Sequence, residues 1–85
     1  MGYDVFKNIT IQQMESLVQL VAEGSFSRAA KKLFLTQPAL SKHIKNMEDS
    51  LGIRLVNRGN GGISLTPEGK ILYDYARRII KLREE

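Results

Sequence analysis

Cysteine and tryptophan are absent from this 85-residue chain, and histidine occurs once. Without cysteine there is no disulfide framework, and the usual zinc-finger ligand sets cannot be assembled. The lone His43 has no partner with which to build a metal or catalytic site, and it reads as a boundary histidine between core and surface. No apolar run approaches the length of a membrane span or a signal-peptide core. Met1-Gly2 would suit myristoylation, but Phe6 stands where that signal wants Ser or Thr. No nucleophile–base–acid set, paired carboxylates or phosphate-cradling loop is present, so neither an enzyme nor a cofactor is expected. The length allows one small domain with a modest core and little room for a buried small-molecule pocket. A soluble cytoplasmic protein with no membrane partner is the expectation.

A more local absence says more. The net charge of +4 is ordinary, but from Gly24 to Met47 there is no Asp or Glu, while Arg28, Lys31, Lys32, Lys42 and Lys45 all fall there. A run of one sign on a folded surface attracts a polyanion. A solvated helical face is the plain reading of any basic run, and Lys31 and Lys32 fit it.

Helix signals recur along the chain. Met1 to Asn8 reads as a short frayed lead. Thr10 with Gln13 forms a capping-box pattern, with Ile9 and Met14 placed as a hydrophobic staple. The helix that follows is carried by Met14, Leu17, Val18 and Val21 and stops at Gly24. Ser25 caps a second, short helix with Phe26, Ala29, Ala30 and Leu33 on its inner face. The paired alanines let another helix cross closely. After a tight Phe34-Leu35 turn, Thr36 caps a third helix, and Pro38 falls in its first turn, where backbone N–H groups have no partner in any case. That helix runs to about Leu51 and closes on Gly52-Ile53. Arg54 to Asn57 and Ile63 to Leu65 read as two short strands around an Asn60-Gly61 turn. Thr66-Pro67-Glu68 opens a last helix with cap, proline and acid in order.

On the third helix, Leu40, Ile44, Met47 and Leu51 share a narrow arc and form the buried stripe. Pro38, Lys42, Lys45 and Asp49 then point away from the core, with Ser41 and Asn46 on the flanks and Gln37 at the exposed tip. Gln37 can read an adenine edge, Lys42 and Lys45 can reach guanine acceptors or phosphates, and Ser41 can bond either way. Pro38 and Ala39 offer apolar surface for a thymine methyl. Thr36, a cap in any reading, can join the helix N-terminus at a backbone phosphate.

Ser25-Phe26-Ser27-Arg28-Ala29-Ala30, Leu33, Thr36-Gln37-Pro38-Ala39-Leu40-Ser41-Lys42, Ile44, Leu51-Gly52-Ile53-Arg54-Leu55, Arg58 and Leu65-Thr66-Pro67-Glu68-Gly69 together closely resemble the LysR-type transcriptional regulators. The resemblance covers nearly everything after the first eight residues. It implies a mainly α fold: a winged helix-turn-helix over 1–65, with a three-helix core and a two-stranded wing, then a long C-terminal linker and dimerisation helix over 66–85. The helix-turn-helix would occupy 26–45 and the wing 54–65. The resemblance further implies that Gln37, Pro38, Ser41 and Lys42 face the major groove of double-stranded DNA. Arg58 and Arg54 would reach phosphates or the neighbouring minor groove. With Arg28, Thr36, Ala39 and Lys45 these make up the expected DNA-binding set. Regulators of this kind act at paired half-sites and carry a larger effector-binding domain, which would lie outside this chain. Two departures stand out. Gly61 occupies a wing position where relatives carry a second basic residue, which leaves Arg58 to make most of that contact. Phe34 stands where the general helix-turn-helix pattern favours glycine.

On the last helix, Ile71, Leu72, Tyr73, Tyr75, Ala76, Ile79, Ile80 and Leu82 spread over an arc of about 200° at helical spacing. A helix resting on one small domain needs a stripe roughly half that wide. So broad an arc points to two partners: the first helix of its own chain, and a second subunit through Leu72, Tyr75, Ala76, Ile79 and Ile80. A two-fold pair would set recognition helices about 34 Å apart on an inverted-repeat site. The rival readings are another winged-helix family and a helical protein–protein adaptor. The latter would require an exposed apolar groove in place of the polar, basic face of helix three.

Overall fold

A computed structural model describes residues 9–59 and 62–84 of the chain. The expected lead at Met1 to Asn8, and the Asn60-Gly61 turn with its glycine-for-base exchange, lie outside the described residues. The elements run α1 (Ile11–Glu23), α2 (Phe26–Lys32), α3 (Gln37–Leu51), β1 (Val56–Gly59), β2 (Gly62–Leu65) and α4 (Pro67–Glu84).

Each boundary has a local cause. The Thr10 hydroxyl accepts from the Gln13 N–H at 3.0 Å, and the Gln13 side chain accepts from the Thr10 N–H at 3.1 Å, completing the capping box. Ser25 accepts from the Arg28 N–H, and Thr36 from the Ala39 N–H. Gly24 and Gly52 end α1 and α3 in the left-handed region at φ 67° and 69°. At Gly52 the Ile53 N–H also returns to the Glu48 carbonyl at 3.2 Å. Phe34 adopts φ 57°, the only non-glycine residue with positive φ among the described residues. The turn between α2 and α3 therefore needs the conformation glycine adopts freely, which is why the pattern favours it there.

α1, α2 and α3 pack around Leu17, Leu20, Ala29, Ala30, Leu40, Ile44 and Met47, all buried, with Leu55 and Val56 closing the core from the wing side. On α1 the buried stripe is Met14, Ser16, Leu17 and Leu20, whereas the expected Val18 and Val21 are only half-buried. The Ser16 hydroxyl donates to the Gln12 carbonyl at 3.0 Å, so its oxygen is left to accept from His43 Nδ1 at 2.8 Å. A polar residue can sit inside because both groups are satisfied.

The wing is an antiparallel pair in register Val56↔Leu65, Asn57↔Ser64, Arg58↔Ile63 and Gly59↔Gly62. Its first strand starts at Val56, two residues later than the sequence suggested. Arg54 and Leu55 are occupied elsewhere: the Arg54 carbonyl accepts from the Thr66 hydroxyl, the Leu55 carbonyl from the Thr66 N–H, and the Leu55 N–H donates to Glu48.

α4 packs along α1. Its start is fixed by Thr66, whose hydroxyl accepts from the Gly69 N–H at 2.9 Å. Gly69 is buried against Leu55, and a Cβ there would fall 1.9 Å from the Leu55 carbonyl oxygen. At the far end Arg83 donates to the Glu15 carboxylate at 2.8 Å. The broad apolar arc divides in two. Leu72, Tyr73, Ala76 and Ile80 turn toward the domain, while Ile71, Tyr75, Ile79 and Leu82 are exposed. Ala76, expected on the dimer face, is 0% exposed within its own fold and leaves no surface for a partner.

Candidate nucleic-acid interface

α3 presents its polar side outward because its apolar side is fully used. Leu40, Ile44 and Met47 are completely buried, and the residues half a turn away are not. Gln37, Pro38, Lys42 and Lys45 are exposed, and Ala39 and Ser41 are half-buried on the flanks. Thr36 is exposed at the cap. Leu51, the last residue of the expected stripe, is only half-buried. It opens onto an apolar groove with Ile9, Met14, Ile53, Ile71 and Tyr75.

The cations differ in how far they are already engaged. Arg28 donates to the Glu23 carbonyl at 2.8 Å and lies 3.8 Å from its carboxylate, so its charge is drawn back across the α1–α2 junction. Lys45 lies 3.8 Å from Asp49, one turn later on α3, with both side chains largely exposed. Exposed pairs of this kind are weak and exchange readily for another anion. Lys42 and Arg58 take part in no ion pair between described residues.

Placement also separates the two wing arginines. Arg58 shares an open groove with Gln37, Ser25, Ser27 and Gly62, which brings the wing, the start of α2 and the tip of α3 to one side of the molecule. Arg54 lies instead beside Lys45, Asp49 and Gly52 toward the end of α3. Sequence reasoning missed Phe26 as part of this surface. Its ring lies under the Arg58 guanidinium, whose central carbon is 4.7 Å from the ring centroid. Apolar periodicity marks Phe26 only as a core residue, and nothing local relates it to a residue thirty-two positions later.

A sequence profile described as "Bacterial regulatory helix-turn-helix protein, lysR family" matches residues 11–70. The chain belongs to the LysR family. A probable RuBisCO transcriptional regulator of Trieres chinensis is 49% identical over 76 residues, covering 89% of this chain and 25% of that protein. The HTH-type transcriptional regulator BenM of Acinetobacter baylyi is 41% identical over 70 residues, covering 82% of this chain and 23% of BenM. The LysR-family chain thus spans about a quarter of the length of the curated relatives it matches. A crystal structure of the BenM DNA-binding domain in complex with catB site 1 DNA superposes with a TM-score of 0.84 at 39% identity, covering 88% of this chain and 84% of that one. The fold is the winged helix-turn-helix of LysR DNA-binding domains, as the sequence led one to expect.

Proposed function

We propose that this chain binds double-stranded DNA sequence-specifically and regulates transcription, with α3 in the major groove and the wing against the backbone. The observation that carries the reading is the exposed polar tip and face of α3, with Gln37, Pro38, Ser41 and Lys42 displayed above a fully buried Leu40-Ile44-Met47 stripe. Gln37 supplies the paired donor and acceptor for an adenine edge, and Lys42 reaches guanine or phosphate. Thr36, with the α3 N-terminus, and Arg58 hold phosphates, while Arg54, Lys45 and Arg28 sit further out. The relatives that match are named transcriptional regulators, and a solved neighbour was crystallised on DNA.

The same reading has two chains pairing through α4 on an inverted-repeat operator. Its support is the exposed stripe Ile71, Tyr75, Ile79 and Leu82, which continues the apolar groove beside Leu51. Leu72 and Ile80, half-buried, contribute at the edge of that stripe. An adaptor reading predicts an exposed apolar groove in place of the polar face of α3; the outward face of α3 is polar and basic, and the apolar groove present lies between α4 and the ends of α1 and α3. The reading divides the chain at about residue 65 into a DNA-binding unit and a linking helix. It assigns any small-molecule effector to a further domain of the full regulator, in the cytoplasm.

The test is selection of duplexes from a random-sequence DNA pool, followed by affinity measurement on the selected site and on a scrambled one. A selected inverted repeat bound at least a thousandfold more tightly than scrambled DNA, on the order of the usual specific-to-non-specific ratio, supports the reading. Equal affinity for both overturns it.

A further inference from the structure

Arg28 and Arg83 each meet a carboxylate, Glu23 and Glu15 respectively, whereas Arg58 rests over an aromatic ring. Arg77 and Arg78 also lie over rings, Tyr73 and Tyr75, but those are one turn away on their own helix, while Arg58 reaches across from the wing to a ring on α2 at a shorter distance. That ring belongs to Phe26, the first residue of α2, half-buried and packed on the core. It is therefore a fixed platform. Arg58 itself stands on β1 opposite Ile63, which is also packed against the core. Both ends of the contact are held by the body of the domain.

The chemistry of this pairing differs from that of an ion pair. A carboxylate partner consumes guanidinium N–H donors and cancels the charge. An aromatic face attracts the cation through its quadrupole and leaves the donors, which lie in the guanidinium plane, unconsumed. Among the described residues Arg58 meets no carboxylate, so its fork of donors stays open while its long side chain is restrained. It lies at the rim of the groove that Ser25, Ser27 and Gln37 line.

We propose that Phe26 is a positioning residue: its ring holds the Arg58 guanidinium so that the donors meet a DNA backbone phosphate while α3 engages the adjacent groove. This rests on the DNA-binding reading above. The order of the Arg58 side chain is supplied by the folded protein and need not be gained on binding. Preorganisation of this kind strengthens contact without adding any.

The experiment measures binding of the parent chain and its variants to a mixed-sequence duplex across a salt series, with thermal unfolding of each protein alongside. Phe26→Leu keeps an apolar side chain on the core and removes the ring face. We expect it to weaken binding by about two- to fivefold, the size of a solvent-accessible cation–π contact. Phe26→Tyr, which keeps the face, should bind like the parent. Arg58→Ala should lower the magnitude of the slope of log affinity against log salt by about 0.9, one phosphate contact. In the Arg58→Ala background, Phe26→Leu should cause no further loss. An equal loss from Phe26→Leu in both backgrounds would assign Phe26 to the fold alone and overturn the proposal, as would no loss in the parent. Arg58→Lys leaves the core untouched, preserves the charge and gives up the planar fork of donors. Parent-like affinity for it would also overturn the proposal. Failure of the parent itself to bind the duplex in a salt-dependent way would strike the DNA-binding reading, which separates the two outcomes.

Discussion

The carboxylate of Glu48 on α3 accepts the backbone N–H of Leu55 at 2.8 Å and that of Val56 at 3.3 Å, tying the root of the wing to the end of the third helix. Those N–H groups belong to two fully buried residues and would otherwise lack partners. Glu48→Ala should therefore destabilise the domain by roughly 1–3 kcal/mol, the cost of leaving buried donors unmet. Urea unfolding measures it. A change within about 0.5 kcal/mol, as for an ordinary surface residue, would contradict the role assigned to this carboxylate.

Gly69 gives a prediction opposite in sign to the usual rule for helices. Glycine to alanine inside a helix normally stabilises by about 1 kcal/mol. Here the added Cβ would meet the Leu55 carbonyl oxygen at 1.9 Å, a backbone atom that also accepts from Thr66. Gly69→Ala should lower stability by about 1–3 kcal/mol as α4 is forced off the wing root. A raised melting temperature would show that the two backbones are not in close approach.

Phe34 combines an unfavourable backbone with an idle side chain. It sits at φ 57° and is 95% exposed. The left-handed region costs a non-glycine residue about 1–2 kcal/mol, and glycine's extra chain entropy offsets roughly 0.5–1 of that. Phe34→Gly should stabilise the domain by up to about 1.5 kcal/mol without altering DNA affinity. Thermal unfolding together with duplex binding tests both halves.

How much of this was legible in the sequence depends on the range of the interactions involved. The caps at Thr10, Ser25 and Thr36 and the glycine stops are local rules, and they held to the residue. The strain at Phe34 was foreshadowed by a pattern that wants glycine. The burial of Ser16 went unmarked, because its polar partner is His43, twenty-seven positions away and on another helix. β1 began late because Arg54 and Leu55 bond to Glu48 and Thr66, partners that no strand propensity registers. On α4 one edge of the wide apolar arc packs on the domain and the other is exposed. Periodicity alone could not assign its two edges, so Ala76 was placed outward when it lies inward.

On α3, Lys42→Ala and Gln37→Ala should each weaken binding to the selected operator by roughly 1–3 kcal/mol and leave unfolding unchanged, since both side chains are exposed. Fluorescence anisotropy on matched and scrambled duplexes measures it. Parent-like discrimination by both variants would remove these residues from base recognition.

For assembly, the exposed edge of α4 is the part to alter. Ile71→Glu combined with Ile79→Glu places two charges on a surface the monomer leaves open, so folding should persist. Sedimentation should show a shift from dimer to monomer. An unchanged sedimentation coefficient would locate pairing elsewhere.

α4 is fastened along its whole length: Thr66 and Gly69 clamp its root, Ala76 its middle, and Arg83 reaches Glu15 near its tip. Such a helix behaves as a rigid spoke of the body that carries α3. In a pair of chains joined spoke to spoke, the crossing angle at the joint would act as a gauge for the gap between the two reading heads. A few degrees of rotation there would become ångströms of displacement along the duplex.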